Sequence, residues 1–346
     1  MLAPDRLGAI LRGSEVPRPR GRLAALDLGT NNCRLLVAEP TAQGFKVVDS
    51  FSRIVRLGEG LASTNRLSER AMIRTIAALK VCRRIMDRHR VTRMRCVATE
   101  ACRRARNGLD FIRRVWRVTG IELELLDQDE EARLAMLGCL PLVDPEADQL
   151  LMLDIGGGST ELLWLDRHEP LGAREPGYIL SMPLGVVTLS ESFGSRTSPE
   201  VYAGMVTAVL DHLARVQPPP VARASGVRRF QMLGTSGTVT TLAAVHLGLR
   251  RYDRRKVDGL SLPFAVIEAI SRHLRALDDA ERAAHPCIGS GRADLVVAGC
   301  AILEGVHRFW PFEQLRVADR GLREGILSAL VGQSLRQALI PVDACA

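Results

Sequence analysis

The stretch Leu150-Leu151-Met152-Leu153-Asp154-Ile155-Gly156-Gly157-Gly158-Ser159-Thr160-Glu161-Leu162-Leu163-Trp164-Leu165 decides the fold. Residues 150–153 read as a buried strand, 154–160 as a polar glycine turn and 161–165 as a returning strand. The same pattern stands 127 residues earlier, where residues 23–26 lead into Asp27-Leu28-Gly29-Thr30-Asn31-Asn32 and then into 33–38. Laying Asp154 over Asp27 also aligns Gly156 with Gly29, Leu162 with Leu35 and Leu163 with Leu36. Two such hairpins, each opening a mixed β/α half, predict a duplicated α/β architecture with a cleft between the halves. A third strand–glycine turn, residues 230–233 followed by Gly234-Thr235-Ser236-Gly237-Thr238, runs into a helix over 239–244. Backbone N–H groups at such a helix start favour an anion.

Between these landmarks the spacing of Met72, Ile76, Leu79, Ile85 and Met86 predicts a helix over 68–90 with Ser68 as its N-cap. Residues 94–98 read as a short strand, 99–108 as a polar loop, 109–118 as a helix and 121–126 as an alternating strand. Asp127-Gln128-Asp129-Glu130 has capping-box spacing and opens another helix. Downstream come a helix over 295–307, a strand over 315–317 and a closing helix over 321–335, with Pro218-Pro219-Pro220 marking a connection. Residues 1–21 are expected to form a basic, disordered tail, 22–137 a first domain and 138–346 a second, whose closing helix is free to pack back on the first.

Composition narrows the class. The chain has 346 residues, 47% apolar and 25% charged, which suits two globular domains and excludes wholesale disorder. It contains no apolar run of 18 residues, so no membrane span is expected, and its first residues do not read as a signal peptide. The eight cysteines include no C-x-x-C pair and the seven histidines no zinc spacing. A cytoplasmic protein with free thiols is expected. The net charge is +8, and all basic residues but Lys46, Lys80 and Lys256 are arginine. That bias reflects either GC-rich coding or an affinity of guanidinium forks for phosphate. Aromatics are only 4%, without basic–aromatic interleaving, so recognition of DNA or RNA sequence is not expected.

Asp27 and Asp154 each follow a buried strand and precede a glycine turn. A carboxylate there either caps its own turn or holds a hard cation, while the turn's N–H groups approach phosphate oxygens. No Gly-Lys-[ST] occurs, so neither turn is a P-loop, and G-x-G-x-x-G fails at Glu161. Glu131 lies at a helix start, where it serves either the helix dipole or, facing a cleft, as a general base. Arg103 and Arg104 are equally open between solvent and phosphate.

Six motifs in order then carry a resemblance: Asp27-Leu-Gly-Thr-Asn, Thr99-x-x-x-Arg103-x-Ala105-x-Asn107, Glu130-Glu131-Ala132-Arg133, Asp154-Ile-Gly-Gly-Gly-Ser-Thr-Glu161, Gly234-Thr-Ser-Gly-Thr238 and Asp319-Arg-Gly-Leu-Arg-Glu-Gly325. From residue 23 to 335 the chain resembles the exopolyphosphatase/guanosine pentaphosphate phosphohydrolase family, of the actin-like ATPase superfold. The resemblance implies two ribonuclease-H-like domains facing across a central cleft. It implies phosphate loops at Gly29, Thr30 and Asn31 and at Gly156, Gly157, Gly158, Ser159 and Thr160, with Ser236 in a third loop and Arg103 gripping phosphate. It implies Glu131 as base, Asp154 and Glu161 as metal- and water-positioning carboxylates beside Asp27, and Mg²⁺ as the cofactor. The implied substrate is inorganic polyphosphate or guanosine pentaphosphate. Longer members carry a further C-terminal domain; this chain looks like the short two-domain type. The first loop has Thr-Asn-Asn where Ser-Asn-Ser is common, a swap that keeps its polar character.

Two other readings stand beside the hydrolase. A kinase of the same superfold is disfavoured by Glu161 directly after the glycine turn and by the Glu-Glu-Ala-Arg helix start. A non-catalytic polyphosphate or nucleotide sensor would usually have lost Glu131 or Glu161. Whether the chain acts alone or as a homodimer is left open by the sequence.

Overall fold

Strand β1 (Arg22–Leu28) buries Leu23, Ala24, Ala25 and Leu26 in succession, the pattern of a strand covered on both faces. The structure, a computed structural model, describes residues 21–166, 178–194, 198–216 and 229–339. β1 pairs antiparallel with β2 (Asn32–Thr41), which pairs antiparallel with β3 (Gly44–Ile54). On its other side β1 runs parallel to β4 (Val91–Ala98), and β5 (Glu124–Leu125) follows, for the order β3-β2-β1-β4-β5.

The second half repeats this plan. β6 (Gln149–Ile155) pairs antiparallel with β7 (Thr160–Asp166), and β7 with β8 (Tyr178–Met182). On the other side β6 runs parallel to β9 (Phe230–Thr235), and β9 to β11 (Gln314–Ala318), with the short β10 (Ser261–Pro263) antiparallel at the edge. Read outward from each glycine hairpin, the two sheets share strand order and strand direction, β10 being the one addition. The duplication expected from the aligned aspartates is present in the backbone, as two ribonuclease-H-like sheets.

The helix Glu69–Arg88 returns the chain from β3 to β4 and buries Ala71, Thr75, Ala78, Leu79, Cys82 and Met86. Ser68 Oγ accepts the Ala71 N–H at 3.2 Å, a cap worth about 1 kcal/mol. Asp127 caps the helix Gln128–Cys139 in the same way, accepting the Glu130 N–H at 2.8 Å. That second helix lies between the sheets. Its Leu134 packs with Leu23, Leu36 and Val97 of the first sheet, and its Ala132, Ala135 and Met136 with Leu150, Met152 and Leu163 of the second. The closing helix Leu322–Leu339 sends Ile326, Leu327, Leu330 and Val331 onto the first sheet as well.

Three local expectations differ from the structure. Residues 99–108 contain the short helix Glu100–Arg104 and the start of Gly108–Thr119. Of 121–126 only two residues pair, because β4 offers β5 partners at Val97 and Ala98 alone; Ile121 and Leu123 bury their side chains without a ladder. β3, β8 and β10 were not anticipated. The tail 1–20 and Pro218-Pro219-Pro220 lie outside the described residues. Among the described residues, no helix is long and apolar enough to cross a membrane.

Candidate active site

Asp27 and Asp154 stand near the C-terminal ends of β1 and β6, where parallel strands deliver ligand-binding loops. The turn after each is closed alike: the Gly29 N–H donates to the Asn32 carbonyl and the Gly156 N–H to the Ser159 carbonyl, both at 2.9 Å. The two turns meet across the molecule. A Cβ on Gly158 would lie 2.8 Å from Thr30 Oγ1 and from the Glu100 side chain, and one on Gly157 3.1 Å from Thr30 Cβ. Only glycine permits this approach of one loop to the other. The third loop joins them at Ser236, held at φ 78°, a left-handed conformation that a residue with a Cβ adopts at a cost. Ser236 hydrogen-bonds the Asp154 carboxylate, and the preceding Thr235 donates to the Arg320 carbonyl at 2.5 Å.

Together these loops wall a cleft of about 750 Å³. Asp27, Gly29, Thr30, Asn31, Glu131, Asp154, Gly156, Gly157, Gly158, Ser159, Glu161 and Ser236 all line it, so residues spread over two hundred positions of sequence converge there. Two expected residues do not. Thr160 is buried and donates to the Leu184 carbonyl at 2.6 Å, tying its loop to the segment after β8. Arg103 is turned toward protein acceptors. Its Nη2 donates to Glu100 at 2.7 Å, and its Nη1 to the Leu126 carbonyl at 2.7 Å and to Glu131 at 3.1 Å. In this arrangement Arg103 orients Glu131 and does not wall the phosphate space.

Asp154 and Glu161 sit directly opposite each other on β6 and β7. Burial pushes Asp154 up to about 6, although its Ser236 bond and Arg34 oppose the shift. Burial and the Asp154 charge push Glu161 up to about 7, against hydrogen bonds from Ser159 and Ser181. Glu131 is raised well above the ordinary carboxyl range by burial and by Glu161, with Arg103 holding it down in part. Burial raises Asp27 too. These four carboxyls, with Glu100, Asp319 and Glu324, share the cleft lining with Arg34, Arg254, Arg292, Arg320 and Arg323.

The donor set fits Mg²⁺. All four carboxyls offer hard oxygen, and the side-chain oxygens of Asn31 and Asn32 are buried with no hydrogen-bond partner. Among the described residues no three His, Cys, Asp or Glu side chains gather closely enough to cage an ion unaided. Mg²⁺ does not ask for that, since it keeps several waters and takes one or two carboxylates with substrate phosphate.

The far wall was not assigned from sequence. Tyr252, Arg254, Asp319, Arg320, Arg323 and Glu324 line the cleft. Arg320 is held by Asp258 at 2.5 Å, Arg254 by Glu324 at 2.7 Å, and the Tyr252 hydroxyl donates to Asp319 at 2.7 Å. Their signal was the run Asp319 to Gly325, which follows β11 much as the Asp154 run follows β6.

Comparison with known proteins agrees with this geometry. A profile of the Ppx/GppA phosphatase family matches residues 36–334. The chain belongs to this family. It is thereby a phosphoanhydride hydrolase, the enzyme class expected from its motifs. It is similar to Exopolyphosphatase 2 of Mycobacterium tuberculosis, 30% identical over 325 residues that cover 90% of this chain and 99% of that protein. The crystal structure of the Aquifex aeolicus Ppx/GppA family member matches with a TM-score of 0.73 at 30% identity, covering 92% of this chain and 98% of that one. An exopolyphosphatase from Cytophaga hutchinsonii matches with a TM-score of 0.79 at 26% identity, over 90% and 98%.

Proposed function

We propose that this Ppx/GppA family member is an exopolyphosphatase that releases the terminal orthophosphate of inorganic polyphosphate by in-line attack of water. Guanosine pentaphosphate, with the same kind of terminal phosphoanhydride, is the second substrate of that site. The observation that supports the reading best is the position of Glu131, half-buried at a helix start, held by Arg103 and lining one cleft with the two glycine loops.

Phosphoryl transfer needs placement and charge neutralisation more than covalent help. One or two of Asp27, Asp154 and Glu161 would hold Mg²⁺ together with water and substrate phosphate, and the ion would supply that neutralisation. The N–H groups of the two glycine turns and the Thr30 hydroxyl grip the terminal phosphoryl oxygens, while the Ser159 hydroxyl stays on Glu161. Glu131 takes a proton from the attacking water; burial and the Glu161 charge raise its pKa, which makes its carboxylate the stronger base. The shortened chain leaves with the bridging oxygen. The described cysteines are all free and buried, which supports a reducing, cytoplasmic site of action.

Hydrolysis in oxygen-18 water tests the chemistry. A single turnover on long-chain polyphosphate with Mg²⁺ is expected to place one labelled oxygen in each orthophosphate and none in the shortened polymer. Label in the polymer, or internal cuts without orthophosphate, would contradict attack at the terminal phosphorus.

A further inference from the structure

We propose that the exposed segment Arg250-Arg251-Tyr252-Asp253-Arg254-Arg255-Lys256 is a distal anion site that holds the trailing part of a long polyphosphate chain whose end lies in the cleft. The proposal rests on the exopolyphosphatase reading and adds to it a determinant of chain length.

Position is the first support. Tyr252 and Arg254 belong to the cleft wall, whereas Arg250, Arg251, Arg255 and Lys256 are exposed just beyond it. A chain gripped at its end by the glycine loops must leave through the mouth, and this segment forms part of that rim.

Charge is the second. Five cations and a single carboxylate stand within seven residues. The acidic groups around the segment already have partners. Asp253 accepts the Arg255 N–H at 3.0 Å, and Asp319 takes the Tyr252 hydroxyl. Glu324 takes Arg254, and Asp258 takes Arg320. The inner arginines satisfy the inner acids, and Arg250, Arg251 and Lys256 are left without an ion pair among the described residues.

Rigidity is the third. The Leu249 N–H donates to the Ala244 carbonyl and the Leu249 carbonyl accepts the Cys287 thiol, while Val257 is buried in the second core and the Gly259 N–H donates to Val317. A cationic strip fixed at both ends does not have to be ordered when the anion binds. Single-stranded RNA is the other polyanion that suits such a strip. Inorganic polyphosphate is favoured because Tyr252 and Arg254 of the strip line the same cleft as the glycine loops, and the one ring, Tyr252, has its hydroxyl held by Asp319.

The test is the variant Arg250→Ser/Arg251→Ser/Arg255→Ser/Lys256→Ser, compared with wild type on tripolyphosphate and on long-chain polyphosphate at low and high salt. Binding of long-chain polyphosphate is measured alongside, with single-stranded RNA as competitor. KM for the long chain is expected to rise roughly tenfold at low salt, with a shallower salt dependence, because exposed ion contacts are screened and release counterions. KM and kcat on tripolyphosphate should stay within about twofold, as expected for lost binding remote from the reacting end. An unchanged KM for long chains, an equal rise on tripolyphosphate, or displacement by RNA as effective as by polyphosphate would overturn the proposal. If wild type releases no orthophosphate, the catalytic reading fails by itself. The binding arm then still decides the segment: weaker binding by the variant supports it, and unchanged binding overturns it.

Discussion

Replacing Glu131 by Gln is expected to lower kcat by about 10²–10⁴, the usual worth of a positioned general base, while leaving polyphosphate binding close to wild type. The substitution keeps the volume and the helix start, where Asp127 caps the Glu130 N–H. Arg103 retains Glu100 and the Leu126 carbonyl as partners, so the variant should fold. Its pH profile is the sharper readout. A base works only when deprotonated, so the wild-type rate should climb with pH through the raised pKa of Glu131. Asp154 and Glu161, raised to about 6 and about 7, titrate in both enzymes, so the variant should keep their limb and lose only the contribution of Glu131. Steady-state release of orthophosphate from about pH 5 upward checks both points, because ordinary carboxyl values lie below that range. A variant within tenfold of wild type that keeps the whole wild-type limb would remove Glu131 from the role of base.

The second large effect is expected where two helices meet behind the cleft wall. A Cβ on Gly325 would lie 1.8 Å from the Leu134 carbonyl, and one on Gly138 2.0 Å from the Gly321 carbonyl. The helices Gln128–Cys139 and Leu322–Leu339 therefore touch backbone to backbone, and the first of them carries Glu131. Gly325→Ala must push them apart by more than an ångström, since a backbone carbonyl has no rotamer by which to yield. Overpacking usually costs 1–3 kcal/mol, and here about 3 kcal/mol or more is expected. Urea unfolding should show that loss. Turnover should fall with it, because a small displacement of a catalytic group is costly. An alanine variant as stable and as active as wild type would mean the helices are not in this contact.

Much of this architecture was legible because its signals are local. Buried strands ending in an aspartate and a glycine turn announce themselves at residues 27 and 154, and Ser68 and Asp127 cap the helices that their positions promised. β3 escaped because it places Lys46, Asp49, Ser50, Ser52 and Arg53 among its apolar residues and lies at a sheet edge, so no buried face is written into it. The site divides along the same line. The residues of the glycine turns could be placed together from sequence, since each turn is a local backbone feature closed by its own N–H to carbonyl bond. Arg103 and Thr160 could not, because what they touch is set by tertiary contacts: Arg103 meets a carbonyl 23 residues away and Glu131 28 away, and Thr160 reaches Leu184. The far wall, from Tyr252 to Glu324, acquires its place only when the second sheet brings β11 beside β9.

Orthophosphate release with Mg²⁺, run in parallel on long-chain polyphosphate, guanosine pentaphosphate and ATP, tests the central claim most directly. Release from polyphosphate well above that from ATP, and lost on chelation of the metal, is the predicted result. Silence on polyphosphate and guanosine pentaphosphate alike, with polyphosphate still bound, would contradict it and leave a phosphate-binding protein in place of the hydrolase.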